Sequence, residues 1–193
     1  RYYYSADSPV DILSSAASPR VIGRFSRGNF LEIVSRRTIY GGNTIRLAEG
    51  RTTSIIGTME QVGQVRVRGA QMPGITMQGA NPGGINSLFS PRWDEIRAIH
   101  QHILDAGDTP GYWRAVTDQN WSEVNGPWVQ EAIARGAQFR LVSSPGDARN
   151  LMRTLEDGTV MQTIFARELE LLRANGYTIL DDGLAIPPGV TGN

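Results

Sequence analysis

Cysteine is absent from this chain of 193 residues, and only two histidines are present. The lack of cysteine excludes disulfides, cysteine-based metal sites and a thiol nucleophile. The histidines, His100 and His102, are not part of a His-Glu-x-x-His motif and have no acid at metal-ligand spacing, so we predict no metal site. No apolar run approaches the about 18 residues typical of a membrane-spanning helix, so we expect no membrane span.

Lysine is also absent, so all 19 basic residues are arginine. A GC-rich genome is one explanation. The other is functional, because a lysine-free chain cannot be ubiquitinated on a side chain, which would suit a protein delivered into a eukaryotic cell. Arginine is also the better bidentate partner for phosphate.

Net charge is zero overall, which argues against binding nucleic acid by bulk charge. The charge is nevertheless divided along the chain. Residues 1–92 hold 11 Arg and 5 acids, giving +6, whereas residues 93–193 hold 8 Arg and 14 acids, giving −6. This asymmetry indicates either an anionic ligand on the first half or pairing of the two halves within one fold.

The composition of 22 Gly, 10 Pro and 40% hydrophobic residues predicts one compact α+β domain. We expect a small twisted antiparallel sheet packed against three or four helices, with an extended N-terminal arm. Residues 1–29 show no periodicity and are interpreted as an arm or linker. Residues 30–180 form the predicted domain, and residues 181–193 are predicted to be a flexible tail.

Three helices are predicted in the second half of the chain. Ser90 and Pro91 form a typical helix start, followed by Trp93, Ile96 and later apolar residues at helical spacing. A second helix is expected after Pro127. The segment 159–177 predicts a long amphipathic helix that ends near Gly176.

Strands are predicted in the arginine-rich first half. The stretch "IRLAEGRTTSIIGT", residues 45–58, is typical of a hairpin around an Ala-Glu-Gly turn. Arg51 and Thr53 would lie on one face of its second arm and form a phosphate clamp. Arg46, Arg66 and Arg68 on neighbouring strands would add substrate-binding cations. A threonine-rich strand with no such role is the alternative.

Two further groups complete the candidate site. The "NPGGIN" loop places Asn86 after two glycines whose backbone amides could bind an anion. Glu168 lies beside Arg167 at the inward edge of the late helix, and it could act as a general base or orient an arginine. His100 is a second candidate base, while His102 should point roughly 200° away on the same helix.

The chain resembles the C-terminal toxin modules of bacterial polymorphic toxins, the effector tips of contact-dependent inhibition, Rhs and type VI systems. The resemblance covers roughly residues 43–180. The motifs that carry it are "GNTIRLAEGRTTSIIGT", "NPGGIN", "VNGPWVQEAIARGAQFRLVS" and "FARELELLRANGYTI". Ala166 and Thr58 depart from the pattern, where a glycine and often a basic residue are expected. Carried over, the resemblance would place Arg51, Thr53, Asn86, Arg167 and Glu168 in the site.

Modules of this kind are mostly nucleases, often cleaving tRNA, and others are ADP-ribosyltransferases, NAD glycohydrolases or deaminases. A zinc deaminase is excluded by the missing cysteine ligands. The resemblance therefore implies a secreted domain that acts in the cytoplasm of a target cell, first as a metal-independent ribonuclease without cofactor. An NAD-using toxin is the alternative, and a non-enzymatic binding module is the second alternative.

The expected partners follow from the same reading. RNA or another phosphate-bearing ligand would be the substrate, and a cognate immunity protein would accompany a toxin. We expect the domain to be a monomer.

Overall fold

The computed structural model describes residues 30–34, 39–46, 51–68, 85–88 and 90–190. The predicted arm, residues 1–29, and most of the Gly/Pro-rich segment before Ile85 lie outside these ranges. The described part confirms a compact α+β domain with mixed helices and strands. No helix within it has the length and apolar character needed to cross a membrane.

A five-stranded mixed sheet forms the centre of the domain. Its order is β5-β3-β6-β10-β9, with β3 parallel to both β5 and β6, and with β10 antiparallel to both β6 and β9. The strands are β3 (Thr53–Ile56), β5 (Ile85–Ser87), β6 (Gln138–Leu141), β9 (Thr178–Ile179) and β10 (Leu184–Ile186).

Both faces of β3 and β6 are buried. On one face Ile56, Phe139 and Leu141 join the main hydrophobic core, which the helices complete. On the other face Thr53 pairs with Gln138 in register. A strand buried on both sides shows no apolar-polar alternation, which is typical of parallel strands.

Two smaller sheets accompany the central one. A three-stranded antiparallel sheet has the order β2-β1-β4, and a hairpin is formed by β7 and β8. The strands are β1 (Phe30–Val34), β2 (Thr44–Arg46), β4 (Arg66–Arg68), β7 (Met152–Thr154) and β8 (Val160–Gln162).

The helices pack against the core face of the central sheet. The start predicted at Ser90 and Pro91 is confirmed. Ser90 Oγ accepts the backbone N–H of Arg92 at the start of the first long helix, as its capping role predicted. The helix predicted over 159–177 is wrong at its beginning, because residues 160–162 form β8 and the helix begins only at Ile164. The helix predicted after Pro127 is the continuation of a helical segment that already includes residues 109–125. The helices are α1 (Met59–Val62), α2 (Arg92–Asp105), α3 (Thr109–Asn120), a π-helix (Trp121–Asn125), α4 (Gly126–Ala134), α5 (Ala148–Leu151) and α6 (Ile164–Ala174).

The predicted hairpin at residues 45–58 is wrong. Strand β2 pairs with β1 in the small sheet, while β3 pairs with β5 and β6 in the central sheet. The expectation of an antiparallel sheet is also wrong for two strand pairs, because β3 is parallel to both β5 and β6. Two short β-prone runs around a glycine turn cannot reveal that their partners lie far along the chain.

The predicted flexible tail is wrong for residues 184–186. These residues form β10, which is buried and lies between β6 and β9. The apolar triplet is too short to show a period, and the acids before it and prolines after it resemble a surface segment. Its burial extends the domain beyond the predicted boundary at residue 180.

Gly57 ends β3 where the chain approaches the end of β6. A Cβ at this position would lie 2.7 Å from both Ser143 Oγ and Val142 Cγ2. The backbone N–H of Thr58 also donates to Ser143 Oγ at 2.8 Å. The close approach of the two strand ends therefore depends on a residue without a side chain.

We expect Gly57→Ala to lower the free energy of unfolding by about 1–3 kcal/mol, because overpacking forces the strand ends apart. Urea unfolding measures this loss. Gly146→Ala is the matched control, since its Cβ would meet its nearest neighbour, Ser144 Oγ, only at 3.9 Å. Equal stability of the two variants would show that the close approach of the two strand ends does not depend on Gly57.

Candidate active site beneath the π-helix

A wide helical turn interrupts the long helix formed by α3 and α4. The backbone N–H of Gly126 donates to the carbonyl of Trp121, five residues earlier. A Cβ on Gly126 would lie 2.7 Å from that carbonyl oxygen, so glycine permits the approach. Pro127 follows and cannot donate to the carbonyl four residues earlier, which a regular α-helix requires. The sequence Asn-Gly-Pro thus favours a π-turn here, and such turns are frequent at functional sites.

Asn125, the last residue of the π-helix, links two other helices. Its Oδ1 accepts the indole N–H of Trp93 on α2 at 3.2 Å. Its Nδ2 donates to Glu168 Oε1 on α6, also at 3.2 Å. Asn125 is 7% exposed and Glu168 is 4% exposed. The three side chains therefore form a buried hydrogen-bonded chain that joins α2, the π-helix and α6.

The carboxyl group of Glu168 is bonded through one oxygen only. Among the described residues, Oε2 is buried and has no hydrogen-bond partner. Burial raises the pKa of Glu168 to about 8 from its ordinary value of 4.5, and the hydrogen bond from Asn125 opposes that rise. At neutral pH most of the group therefore carries a proton, and its pKa lies in the range suited to acid-base chemistry.

A shallow groove of about 450 Å³ borders the π-helix and α6. Arg167, which precedes Glu168 on α6, forms one wall and is held by Asp118 at 2.6 Å. Trp121, the first residue of the π-helix, forms another wall. The remaining lining residues are Gln162, Glu170, Leu171 and Ala174. An aromatic ring and polar side chains thus line a surface recess on the side of α6 that carries Glu170, and neither Glu168 nor Asn125 lines it.

Glu168 and Glu170 lie on different sides of α6. Glu168 is buried beneath the π-helix, whereas Glu170 is exposed and accepts a hydrogen bond from Gln162. The Glu-Leu-Glu motif lies within a continuous helix, as its sequence predicted. The two carboxyl groups are therefore separated rather than paired around one ligand.

His100 belongs to a different, partly exposed network between α2 and α3. Its Nε2 lies 2.7 Å from Gln119 Oε1, and Gln119 Nε2 donates to Glu123 at 2.7 Å. Arg92 forms ion pairs with Glu123 and Glu95 at 2.7 and 2.8 Å. One arginine against two carboxylates leaves this surface negative, which disfavours a phosphate.

The structure does not bring His100 to the Glu168 site. Trp93 and His100 are about 10 Å apart along α2, at a rise of about 1.5 Å per residue. His102 is exposed and its Nδ1 contacts the carbonyl of Ile99 at 3.0 Å. The prediction that the two histidines face apart is confirmed.

Arg51 and Thr53 do not form the predicted clamp. Arg51 precedes β3, and one guanidinium nitrogen donates to the carbonyl of Gly136 at 2.9 Å. Thr53 is 1% exposed, and its Oγ1 accepts a hydrogen bond from Gln138 at 2.8 Å. Both side chains instead join β3 to the region of β6. Neither forms a hydrogen bond or ion pair with Glu168.

Arg51 also lies close enough to Tyr177 to influence it. Burial raises the pKa of Tyr177 to about 12, and the positive charge of Arg51 opposes the rise. The Tyr177 hydroxyl donates to the carbonyl of Ala137 at 2.7 Å. The surroundings of Arg51 are therefore those of a structural contact at the amino-terminal end of β6.

The remaining predicted binding residues lie on other strands. Arg46 is in β2, and Arg66 and Arg68 are in β4, on either side of β1 in the three-stranded sheet. Asn86 is the partner of Ser54 in the parallel pairing of β5 with β3, so it belongs to a strand and not to the predicted loop. The predicted residues thus fall into separate groups, with Glu168 and Arg167 together on α6.

Asn125 and Trp93 were missed as site residues by the sequence reasoning. Asn125 lies in the "VNGPW" motif, but a polar residue just before Gly-Pro resembles an ordinary helix start. The available signal was its place between the apolar residues Val124 and Trp128, both of which are buried. Trp93 was predicted as a core residue only, although a buried indole N–H normally requires an acceptor.

No protein-family model matches the chain, and no match is found among curated proteins or solved structures. Within the described residues, no group of three histidine, aspartate or glutamate side chains could hold a metal ion.

Proposed function

We propose that this chain is a secreted bacterial toxin domain that cleaves RNA without a metal ion. One observation carries the proposal: Asn125 and Glu168 meet in a buried hydrogen bond. Each residue belongs to one of the segments that resemble polymorphic toxins, "VNGPW" and "FARELE". This hydrogen bond brings the two segments together at one carboxyl group.

In this proposal the ionised form of Glu168, whose share grows as the pH approaches about 8, acts as the general base. Oε2 takes the proton of a ribose 2′-hydroxyl, whose oxygen then bonds to the adjacent phosphorus. The bond from phosphorus to the 5′ oxygen breaks, and water supplies a proton to that leaving oxygen. A base with a pKa near the working pH is well suited to this step. Because Oε2 is sealed from solvent in the structure, the π-helix must move outward when RNA binds.

In this proposal RNA binds first in the groove beside the π-helix, and the outward movement of the π-helix opens the path from that groove to Glu168. Trp121 offers a ring on which an unpaired base can stack, and such stacking contributes about 1–3 kcal/mol per base. Arg167 supplies a cation on the same wall. Single-stranded RNA fits this arrangement better than a duplex, because only unpaired bases expose both faces.

Ribonuclease chemistry is favoured over NAD chemistry by the separation of Glu168 from Glu170. An NAD-using toxin would require both carboxylates of a Glu-x-Glu motif near one ligand. Here one is buried and the other is exposed on the same helix. A cognate immunity protein that blocks the groove belongs to this proposal.

The purified protein is expected to degrade bacterial RNA in the presence of EDTA. Glu168→Gln should reduce the rate about 100-fold or more, because general base catalysis typically contributes 10²–10⁴-fold. Gel analysis of total RNA and of tRNA measures the cleavage. Glu156→Gln, which changes an exposed acid between β7 and β8, is the control and should cleave at the wild-type rate.

Intact RNA at high protein concentration would contradict the proposal, as would a fully active Glu168→Gln variant. Release of nicotinamide from NAD, measured on the same samples, would instead support the alternative chemistry. Growth arrest on expression in bacteria, abolished by Glu168→Gln, would show that the activity operates in cells.

A further inference from the structure

The side-chain amide of Asn125 has a defined orientation. The indole N–H of Trp93 can only donate a hydrogen bond, so the atom 3.2 Å from it must be the amide oxygen. The amide nitrogen then faces Glu168 and donates to Oε1. Trp93 thus prevents the amide from turning over, and the carboxyl group meets a donor.

We propose that Asn125 is the positioning residue for Glu168: its amide, oriented by Trp93, holds Oε1 and leaves Oε2 as the atom that exchanges a proton with substrate. This inference rests on the proposed ribonuclease function and deepens it. An oxygen that accepts a hydrogen bond from the protein is the weaker base of the two. The unpartnered Oε2 is therefore the more reactive atom.

The π-helix is what brings Asn125 to this place. A π-turn contains one residue more than the corresponding α-helical turn. Deleting that residue would rotate Asn125 by about 100° around the helix, away from both partners. The irregular turn encoded by Asn-Gly-Pro thus serves the contact between α2 and α6.

Charged side chains on the packed elements are engaged elsewhere. The causes of the pKa shift of Glu168 are its burial and the hydrogen bond from Asn125. Five ion pairs engage charged side chains on or next to α2, the π-helix, α4 and α6: Arg92–Glu95, Arg92–Glu123, Arg97–Asp94, Arg135–Glu131 and Arg167–Asp118. Asp105 accepts a hydrogen bond from Gln101, Glu170 accepts one from Gln162, and Arg173 is exposed. The side-chain amide of Asn125 is therefore the polar group that acts directly on the carboxyl group of Glu168.

The test compares Asn125→Leu and Trp93→Phe with the wild-type protein. Difference infrared spectra against Glu168→Gln isolate the titration of the Glu168 carboxyl group. Asn125→Leu should move this midpoint upward by about one pH unit, because a hydrogen bond to a charged group is lost. The pH profile of RNA cleavage should move with it. Trp93→Phe should shift both in the same direction by less, lowering kcat while leaving KM unchanged.

A folded Asn125→Leu variant with an unchanged infrared midpoint would overturn the inference. If that variant does not fold, Trp93→Phe decides the question by the same readout. A shifted midpoint in a protein that cleaves no RNA would support the positioning role and refute the ribonuclease. The two proposals can therefore fail separately.

Discussion

Glu168→Gln is expected to be more stable than the wild-type protein at about pH 9, and to lose most of the dependence of stability on pH. Glutamine has nearly the shape of the protonated carboxyl group and is neutral at every pH. It can still accept the hydrogen bond from Asn125 that Glu168 Oε1 receives. The variant therefore keeps the buried contact without the ionisation.

The sign of the effect follows from the raised pKa. Below pH 4.5 the carboxyl group is protonated in both states, so its contribution to stability is fully present. As pH rises, the unfolded chain ionises first, while the folded protein holds the proton until about pH 8. The free energy of unfolding therefore falls over this interval, by an amount on the order of a few kcal/mol.

Urea unfolding between about pH 4 and 9 measures this decline. At the acidic end Glu168→Gln should be less stable than the wild-type protein by about 1 kcal/mol, because its Nε2 replaces an oxygen and is buried without an acceptor. Glu156→Gln should retain the wild-type slope, since Glu156 is exposed. Parallel pH curves for the wild-type protein and Glu168→Gln would show that the buried carboxyl group does not titrate as described.

The start of α2 and the end of α6 could be predicted from sequence because their signals are local. Ser90 and Pro91 mark the start of α2, and Gly176 has a φ of +75° just after α6. Caps and a 3.6-residue period act within a few turns of chain. Trp93 and Ile96 are buried on α2, as that period predicted.

Strand pairing could not be predicted in the same way. β3 finds both partners at a distance in sequence, in β5 and β6. A buried parallel strand carries no alternation that would identify its faces. The hairpin interpretation of residues 45–58 depended on neighbours in sequence, and it therefore assigned Thr53 to a ligand-binding face instead of its contact with Gln138.

The site was only partly visible for a related reason. Glu168 stood out as an acid at the buried edge of an amphipathic helix, and the structure places it in the core. Asn125 depends on a π-turn that shifts the helical register, which a 3.6-residue period does not reveal. The arginine-rich first half of the chain favoured Arg51 as a phosphate-binding residue, but its guanidinium donates to a backbone carbonyl.

Arg140→Met is expected to cost several kcal/mol of stability, the largest loss among the substitutions considered. Arg140 lies in β6 and is fully buried. Its guanidinium donates to the carbonyl of Tyr40 at 2.7 Å, and also to those of Gly42 and Asp182. These contacts attach residues 39–43 and the turn before β10 to the central sheet.

Two terms with opposite signs decide the magnitude. Burial lowers the pKa of Arg140 to about 10, which shows that its charge is costly to keep here. Methionine removes that cost, and replacing buried charge by apolar groups is sometimes neutral. However, three carbonyl oxygens then lose their donor, at about 1–3 kcal/mol for each one left buried and unpaired. We expect the loss of a donor for three carbonyl oxygens to cost more stability than the removal of one buried charge restores.

Urea unfolding of Arg140→Met, with Arg149→Met as control, measures the balance. The side chain of Arg149 is 89% exposed and pairs with Asp147, so its loss should change stability by no more than about 0.5 kcal/mol. Proteolysis should also cut Arg140→Met within residues 39–43, since these carbonyls hold that segment. If Arg140→Met matched Arg149→Met in stability and in resistance to proteolysis, the guanidinium would not be what attaches the segment to the sheet.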